Sequence, residues 1–276
     1  MTWKAQTDIA KFMIESESFL LEHEAQNNML LQAFARSLQN PATTNAVFKD
    51  QNGAIALLFN GSLIFNETRA NSTVELIPVI KDFLAERPLK MVMGPEDVAR
   101  GFAREWLQTN KNLRLDHEFS MILQKLDQVN EIRRPLGQFR RAWLEEADLL
   151  ATWFEKFWLD TGVPGEAGLT AKEIALQMIH SKQLFVWGNN RPASMVGMGG
   201  STPKGIRVHS VYTPPDKRSK GLARATVAAL SELQLSQGKE FLVLYSDATK
   251  PANAALYNQI GYKPIANHFT YFFSSK

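Results

Sequence analysis

The segment from Val211 to Ala223, VYTPPDKRSKGLA, limits what this chain can fold into more than any other stretch. An apolar strand runs into two prolines, then a basic loop containing glycine, then a helix. The first backbone N–H groups of a helix have no partner inside it, and the helix dipole adds partial positive charge there. A phosphate group suits such a turn. Gly221 and Ala223 are small enough for a ligand to approach the backbone. Arg218 and Lys220 add full charges that match a diphosphate.

The flanking text supplies a frame for that turn. Apolar residues recur at helical spacing from Ile9 to Leu38, with a break near residues 22–24. Strand text follows at 46–48 and 54–59, joined by Asp50-Gln51-Asn52-Gly53, a hairpin signal, and again at 62–65. A helix is expected at 74–84, a strand at 91–93, a helix from Pro95 to Leu107 and a strand at 119–123. The polar stretch 127–138 marks a boundary. Beyond it the order recurs: a short strand at 141–143, helices at 148–158 and 170–180, strands at 184–187, 195–198 and 206–213, a helix at 222–235, a strand at 241–245, a helix at 252–260 and a strand at 269–273. Thr170 followed by Glu173 is a capping box that starts the second of these helices. The recurrence suggests two repeats, 1–132 and 133–276, descended from a duplication.

Composition removes several classes of function. The 276 residues carry 31 Lys+Arg against 28 Asp+Glu, a net +3 that is weak for a nucleic-acid binder. Cysteine is absent, which excludes disulfides, thiolate metal sites and a cysteine nucleophile. The histidines at 23, 117, 180, 209 and 268 show no ligand spacing, so no metal is expected. The start Met1-Thr2-Trp3-Lys4 has no apolar core after a basic flank, and no apolar run approaches the ~18 residues that cross a bilayer. A cytoplasmic protein without membrane contact is expected. No P-loop is present, and Gly197-Met198-Gly199-Gly200 lacks the last glycine of a dinucleotide fingerprint.

The second repeat resembles the GNAT superfamily of acyl-CoA-dependent N-acetyltransferases. Arg218-Ser219-Lys220-Gly221-Leu222-Ala223 matches that family's Gln/Arg-x-x-Gly-x-Gly/Ala pattern, between a strand and a helix. Leu256-Tyr257-Asn258-Gln259-Ile260-Gly261-Tyr262 is similar to its Leu-Tyr-x-x-x-Gly-Phe/Tyr signature. The resemblance covers about residues 140–273, and reaches the first repeat only through element order. It implies an α/β fold of two GNAT-like domains, each a mixed, mostly antiparallel sheet flanked by helices. It also implies acetyl-CoA as acyl donor. Pro214 and Pro215 would end strand pairing, so that Val211, Tyr212 and Thr213 expose backbone groups to the pantetheine arm as an added strand would. The N–H groups of Ser219, Lys220, Gly221, Leu222 and Ala223 would hold the diphosphate. An N–H near Tyr212 would polarise the thioester carbonyl.

Tyr257 is the implied general acid for the departing thiolate; the alternative is a tyrosine that packs its helix under the sheet. Asn253, one turn earlier on the same face, either bonds the pantetheine or caps the helix. Lys250 departs from the family, which often has asparagine before the proline. Arg207 stands where some members place a basic glutamate, and arginine cannot accept a proton at neutral pH. His209 shares that strand face and is the candidate base; a water relay to solvent is the alternative. Glu155, Asp160 and Glu166 are candidates to hold the amine, or are simply solvated. Trp153, Trp158 and Trp187 line a pocket or pack the core.

The first repeat has Met93-Gly94-Pro95-Glu96-Asp97 at a strand-to-helix turn, where two acids would repel phosphate; it is expected to have lost cofactor binding. The acceptor is a small-molecule or peptide amine whose identity stays open, as do acyl-chain length and the oligomeric state, a homodimer included. A non-catalytic acyl-CoA sensor and a protein-interaction scaffold are the rival readings.

Overall fold

The computed structural model describes residues 3–39, 46–66, 73, 75–84, 88–163, 165 and 168–276. Among them the elements run β1 (Lys4–Gln6), α1 (Ile9–Glu22), α2 (Asn28–Gln39), β2 (Ala46–Lys49), β3 (Ile55–Phe59), β4 (Ser62–Phe65), α3 (Leu76–Leu84), β5 (Met91–Pro95), α4 (Glu96–Thr109) and β6 (Leu113–Leu126). They continue with β7 (Gln138–Arg141), α5 (Ala147–Thr161), α6 (Ala171–His180), β8 (Leu184–Gly188), β9 (Pro192–Gly199), β10 (Gly205–Tyr212), α7 (Leu222–Ser236), β11 (Phe241–Asp247), α8 (Pro251–Ile260) and β12 (Lys263–Ser275). The fold is mixed α/β with mostly antiparallel strands, as expected.

The chain forms two compact units. The first comprises Met1–Gln124, Tyr245–Pro251 and Pro264–Lys276; the second comprises Lys125–Leu244 and Ala252–Lys263. A single cut at 132/133 therefore describes the repeat of element order, while the compact units trade segments. The reason is pairing: β12 lies antiparallel to β5, with Thr270 opposite Met93, and so closes the sheet of the first unit.

In the first unit the strand order is β1-β2-β3-β4-β5-β12-β6. Alternation along β2 and β3 sends Val47, Ile55 and Leu57 to α1 and α2, where Phe12, Leu20, Leu30 and Phe34 pack on them. Phe48, Ala56 and Leu58 face the other way, toward Ile80, Phe102 and Trp106 of α3 and α4. Period-2 strands buried on both faces explain the nearly continuous apolar text.

In the second unit the order is β11-β10-β9-β8-β7. Leu184, Val186 and Met195 pack on α5 and α6; Phe185, Val196 and Val208 pack on the α7 side. The capping box at α6 is formed, with Glu173 N donating to Thr170 Oγ1 at 3.2 Å and Thr170 N donating to Glu173 Oε2 at 2.7 Å.

The two units share one plan. β1 to β4 and β7 to β10 are antiparallel ladders, and each is followed by one parallel pair, β4 with β5 and β10 with β11. The parallel pairs differ in how they end. In the first unit a Cβ added at Gly94 of β5 would sit 2.8 Å from Cβ of Phe65, the last residue of β4, so the two strands are pressed together to the end. Gly94→Ala should therefore destabilise the protein by about 1–3 kcal/mol through overpacking. Urea unfolding measures this, and an unchanged midpoint would show that β4 can move away from β5.

Candidate active site

In the second unit the parallel pair opens. The β10–β11 ladder runs over Gly205–Arg207 against Phe241–Val243, yet β10 continues to Tyr212 alongside β9. Between His209 and Tyr212 the register with β9 slips by one residue, because His209 faces Gly197 and Tyr212 faces Met195. The extra residue is a β-bulge at Ser210, whose φ is +51°. Ser194, fully buried, fastens the far end of the bulge. Its Oγ donates to the Tyr212 carbonyl at 3.2 Å and lies 2.8 Å from Thr213 Oγ1. The last part of β10 thus follows β9 and leaves its other edge open.

The bulge also resets which side chains share a face. Val211 packs with the α7-side cluster, while Tyr212 is buried among the α5–α6 residues with its ring 5.9 Å from that of Trp153. Simple alternation from His209 would have reversed these two. Burial raises the Tyr212 phenol above its usual range.

Beyond Thr213 the prolines form one tight turn, with Lys217 N donating to the Pro214 carbonyl at 2.9 Å and Arg218 N donating to the Pro215 carbonyl at 3.2 Å. Ser219 has φ +62° and Gly221 φ +75°, the left-handed conformation that glycine adopts without strain. Successive N–H groups in such turns make anion-binding concavities. α7 starts at Leu222 with no side-chain cap and no acidic residue in its first turn. Its first internal bond is from Ala225 N to the Gly221 carbonyl at 3.0 Å, so the N–H groups of residues 222–224 precede it.

Four basic residues, Lys217, Arg218, Lys220 and Arg224, lie in this turn and the first turn of α7. Lys217 Nζ donates to the Pro192 carbonyl at 3.1 Å and Lys220 Nζ to the Asp216 carbonyl at 3.0 Å. Arg224, in the first turn of α7, reaches the Gln259 side chain and, at 3.5 Å, the Arg133 carbonyl; its buried Nε has no hydrogen-bond partner among the described residues. None of the three is paired with a carboxylate among the described residues. Arg218 is: its Nη2 lies 2.6 Å from Asp160 Oδ2, so its charge is already balanced within the protein.

The other candidates are placed as follows. Tyr257 is half-buried on α8, packs on the α7-side cluster and meets the Tyr262 ring edge-on at 6.1 Å; burial pushes its phenol up to about 12. Asn253 is exposed in the first turn of α8. His209 is half-buried, with Nδ1 3.0 Å from Ser210 Oγ. Its ring lies over β9: a Cβ on Gly197 would be 3.0 Å from Cε1, and one on Gly199 3.1 Å from Nε2. β9 and β11 flank β10 on opposite sides, so the imidazole leans away from the open edge. Arg207 is half-buried opposite Gly199.

Among the amine candidates Glu155 is exposed, Asp160 is engaged by Arg218, and Glu166 lies outside the described residues. Trp153 and Trp187 are buried in core clusters and Trp158 packs partly buried beside Phe154. Lys250 pairs with Asp247 at 3.2 Å in the first unit.

Sequence patterns missed three residues of this site: Ser194, the bulge residue Ser210, and Arg224. Only Arg224 left a signal, as a basic residue immediately after the glycine pattern. The turn Met93–Asp97 joins β5 to α4 and so corresponds to the β11–α8 connection; the counterpart of the basic turn joins β4 to α3, where residues 67–72 and 74 lie outside the described residues. Order of elements, not local resemblance, fixes which turns correspond.

No group of metal-ligating side chains is found among the described residues, and none of the described helices is long and apolar enough to cross a membrane.

Replacing Ser194 by alanine leaves the Tyr212 carbonyl and Thr213 hydroxyl short of a buried partner, which should cost about 1–3 kcal/mol in urea unfolding. A smaller loss would show that water enters at this point. Tyr257 makes a second, pH-dependent expectation. Its folded pKa lies above the ordinary 10, so the unfolded chain releases its proton first and stability falls as pH rises from about 10 to about 12. Tyr257→Phe should shallow that fall in unfolding titrations; an identical slope would place the ionisation elsewhere.

The family model described as FR47-like protein matches residues 188–272. No curated protein matches the chain. Solved structures do. A Drosophila protein is 11% identical and has a TM-score of 0.67, covering 98% of each chain. A GCN5-related N-acetyltransferase from Sphaerobacter thermophilus is 12% identical with TM-score 0.59, covering 84% of this chain and 80% of that one. An acetyltransferase of the GNAT family from Colwellia psychrerythraea is 12% identical with TM-score 0.56, covering 99% of this chain and 100% of the other. With its parallel pair opening beside an uncapped helix start, this chain has the fold of the GNAT superfamily.

Proposed function

We propose that the second repeat binds acetyl-CoA and transfers its acetyl group directly to a primary amine. The observation that carries this reading is the start of α7. It is uncapped, bears no acid in its first turn, and has Lys217, Lys220 and Arg224 close by in sequence, none of them paired with a carboxylate among the described residues. A diphosphate satisfies both the N–H groups and the cations. Gly221, with no side chain, and Ala223, with a single methyl group, leave room for it. The open edge of β10 at Val211–Thr213 would take the two pantetheine amides, and Asn253 stands at the start of α8 to add a contact.

In the transfer, the amine nitrogen bonds to the acetyl carbonyl carbon and the carbon–sulfur bond breaks. A backbone N–H at the bulge stabilises the carbonyl oxygen as negative charge gathers on it. Tyr257, neutral throughout the physiological range because burial holds its pKa near 12, gives its proton to the thiolate. The amine enters as an ammonium and loses one proton before attack and a second as the amide forms; one of these restores Tyr257. The lean of His209 toward β9 leaves it to act on the amine through water rather than by direct contact. The two repeats would descend from one duplicated unit, with the first closed to coenzyme A where Phe65 presses on Gly94.

That lean of His209 also favours a second reading, an acyl-CoA-binding module without turnover. Thiol release from acetyl-CoA across an amine panel separates the two, with thermal protection by CoA as the control for binding. Tyr257→Phe should lower kcat about 10- to 100-fold while leaving CoA affinity unchanged, as loss of an acid does. Protection by CoA with no thiol release for any amine would establish the binding module; no protection at all would end both readings. His209→Gln should flatten the acid limb of the kcat/KM profile; an unmoved profile would assign proton removal to solvent.

A further inference from the structure

Arg218 opens the glycine pattern, and a cation there invites assignment as a phosphate ligand. Its contacts say otherwise. Nε donates to the Thr213 carbonyl at 2.9 Å, Nη2 meets Asp160 Oδ2 at 2.6 Å, and the guanidinium stands 5.7 Å from the centre of the Tyr212 ring. One planar fork therefore holds a strand end, a helix end and an aromatic face at once, which a lysine could not reproduce. Its backbone N–H is also taken, by the Pro215 carbonyl.

Asp160 lies in the last turn of α5, on the sheet face opposite α7. The helix closes at once beyond it: Thr161 Oγ1 donates to the Phe157 carbonyl at 2.7 Å, and Gly162, with φ +74°, donates its N–H to the Trp158 carbonyl at 2.8 Å. Residues 162–170 then lead to α6. The ion pair thus joins the basic turn on one side of the sheet to the mouth of the α5–α6 connection on the other.

We propose that Arg218 is a positioning residue and not a phosphate ligand: through Asp160 it fixes the end of α5 to the basic turn, so that occupation of the turn steadies that helix end. This rests on the reading that the turn binds acyl-CoA. The charges that meet the diphosphate are then those of Lys217, Lys220 and Arg224.

The test uses the full chain with CoA as the probe. Calorimetry gives affinity, and hydrogen exchange at the amides of Thr161 and Gly162, with and without saturating CoA, reads the end of α5. Asp160→Asn and Arg218→Ala should keep CoA affinity within about fivefold, the range of exposed ion pairs. CoA should slow exchange at 161–162 in the unaltered protein and fail to do so in either variant. The exchanged pair, Asp160→Arg with Arg218→Asp, should recover the slowing, which a purely structural loss would not. A fall in CoA affinity of roughly tenfold or more in Arg218→Ala, with Asp160→Asn unaffected, is what a lost charge-assisted phosphate bond gives, and would overturn the proposal. So would CoA binding that leaves exchange at 161–162 unchanged in the unaltered protein. No CoA binding by the unaltered protein is a different failure, since it removes the acyl-CoA function itself and this role with it.

Discussion

A strand that leaves its neighbour exposes backbone groups that must find other partners, and this chain is organised around one such departure. β10 follows β11 for three residues and then follows β9. The bulge at Ser210 makes the change of course, and the buried Ser194 hydroxyl holds it. An unpaired backbone group costs about as much as a lost hydrogen bond when buried, so an open edge persists only where the surroundings hold it open or a ligand completes it. The two prolines and the uncapped start of α7 come directly after that edge. Strand opening and helix start are therefore neighbours, the end of the β10–β11 ladder followed by an uncapped helix with three basic residues in and beside its first turn.

The first unit shows the same plan without the opening. Its parallel pair stays closed, with Phe65 against Gly94. Two units of one topology thus differ at the end of their parallel pair, because strands about 4.8 Å apart leave no room for an intervening chain. The first copy keeps its apolar core on both faces and accepts β12 as a partner for β5.

Charge near the basic turn is arranged in two ways. Arg218 is paired with Asp160, while among the described residues Lys217, Lys220 and Arg224 bond to carbonyl or amide oxygens and to no carboxylate. Residue type alone would treat all four as equivalent. The Arg218 fork meets a carboxylate, a carbonyl and a ring, whereas each of the two lysines bonds to one carbonyl.

The sequence by itself determined most of the elements and their order, because helical and strand periodicity and the Thr170–Glu173 box are local properties of the backbone; it missed β1 and set the strand of Gln138–Arg141 at 141–143. It determined the basic turn for the same reason: prolines, Gly221 and a helix start act within a few residues of one another. It could not determine the side on which a residue lies after Ser210, since a bulge shifts the alternation and depends on the facing strand β9. Nor could it reveal Ser194, whose role comes from lying opposite Tyr212, or the engagement of Arg218 by Asp160, 58 residues earlier in the chain. The tertiary structure alone decided these, and the placement of β12 beside β5, because pairing between distant segments is settled by which surfaces meet and not by what either segment prefers on its own.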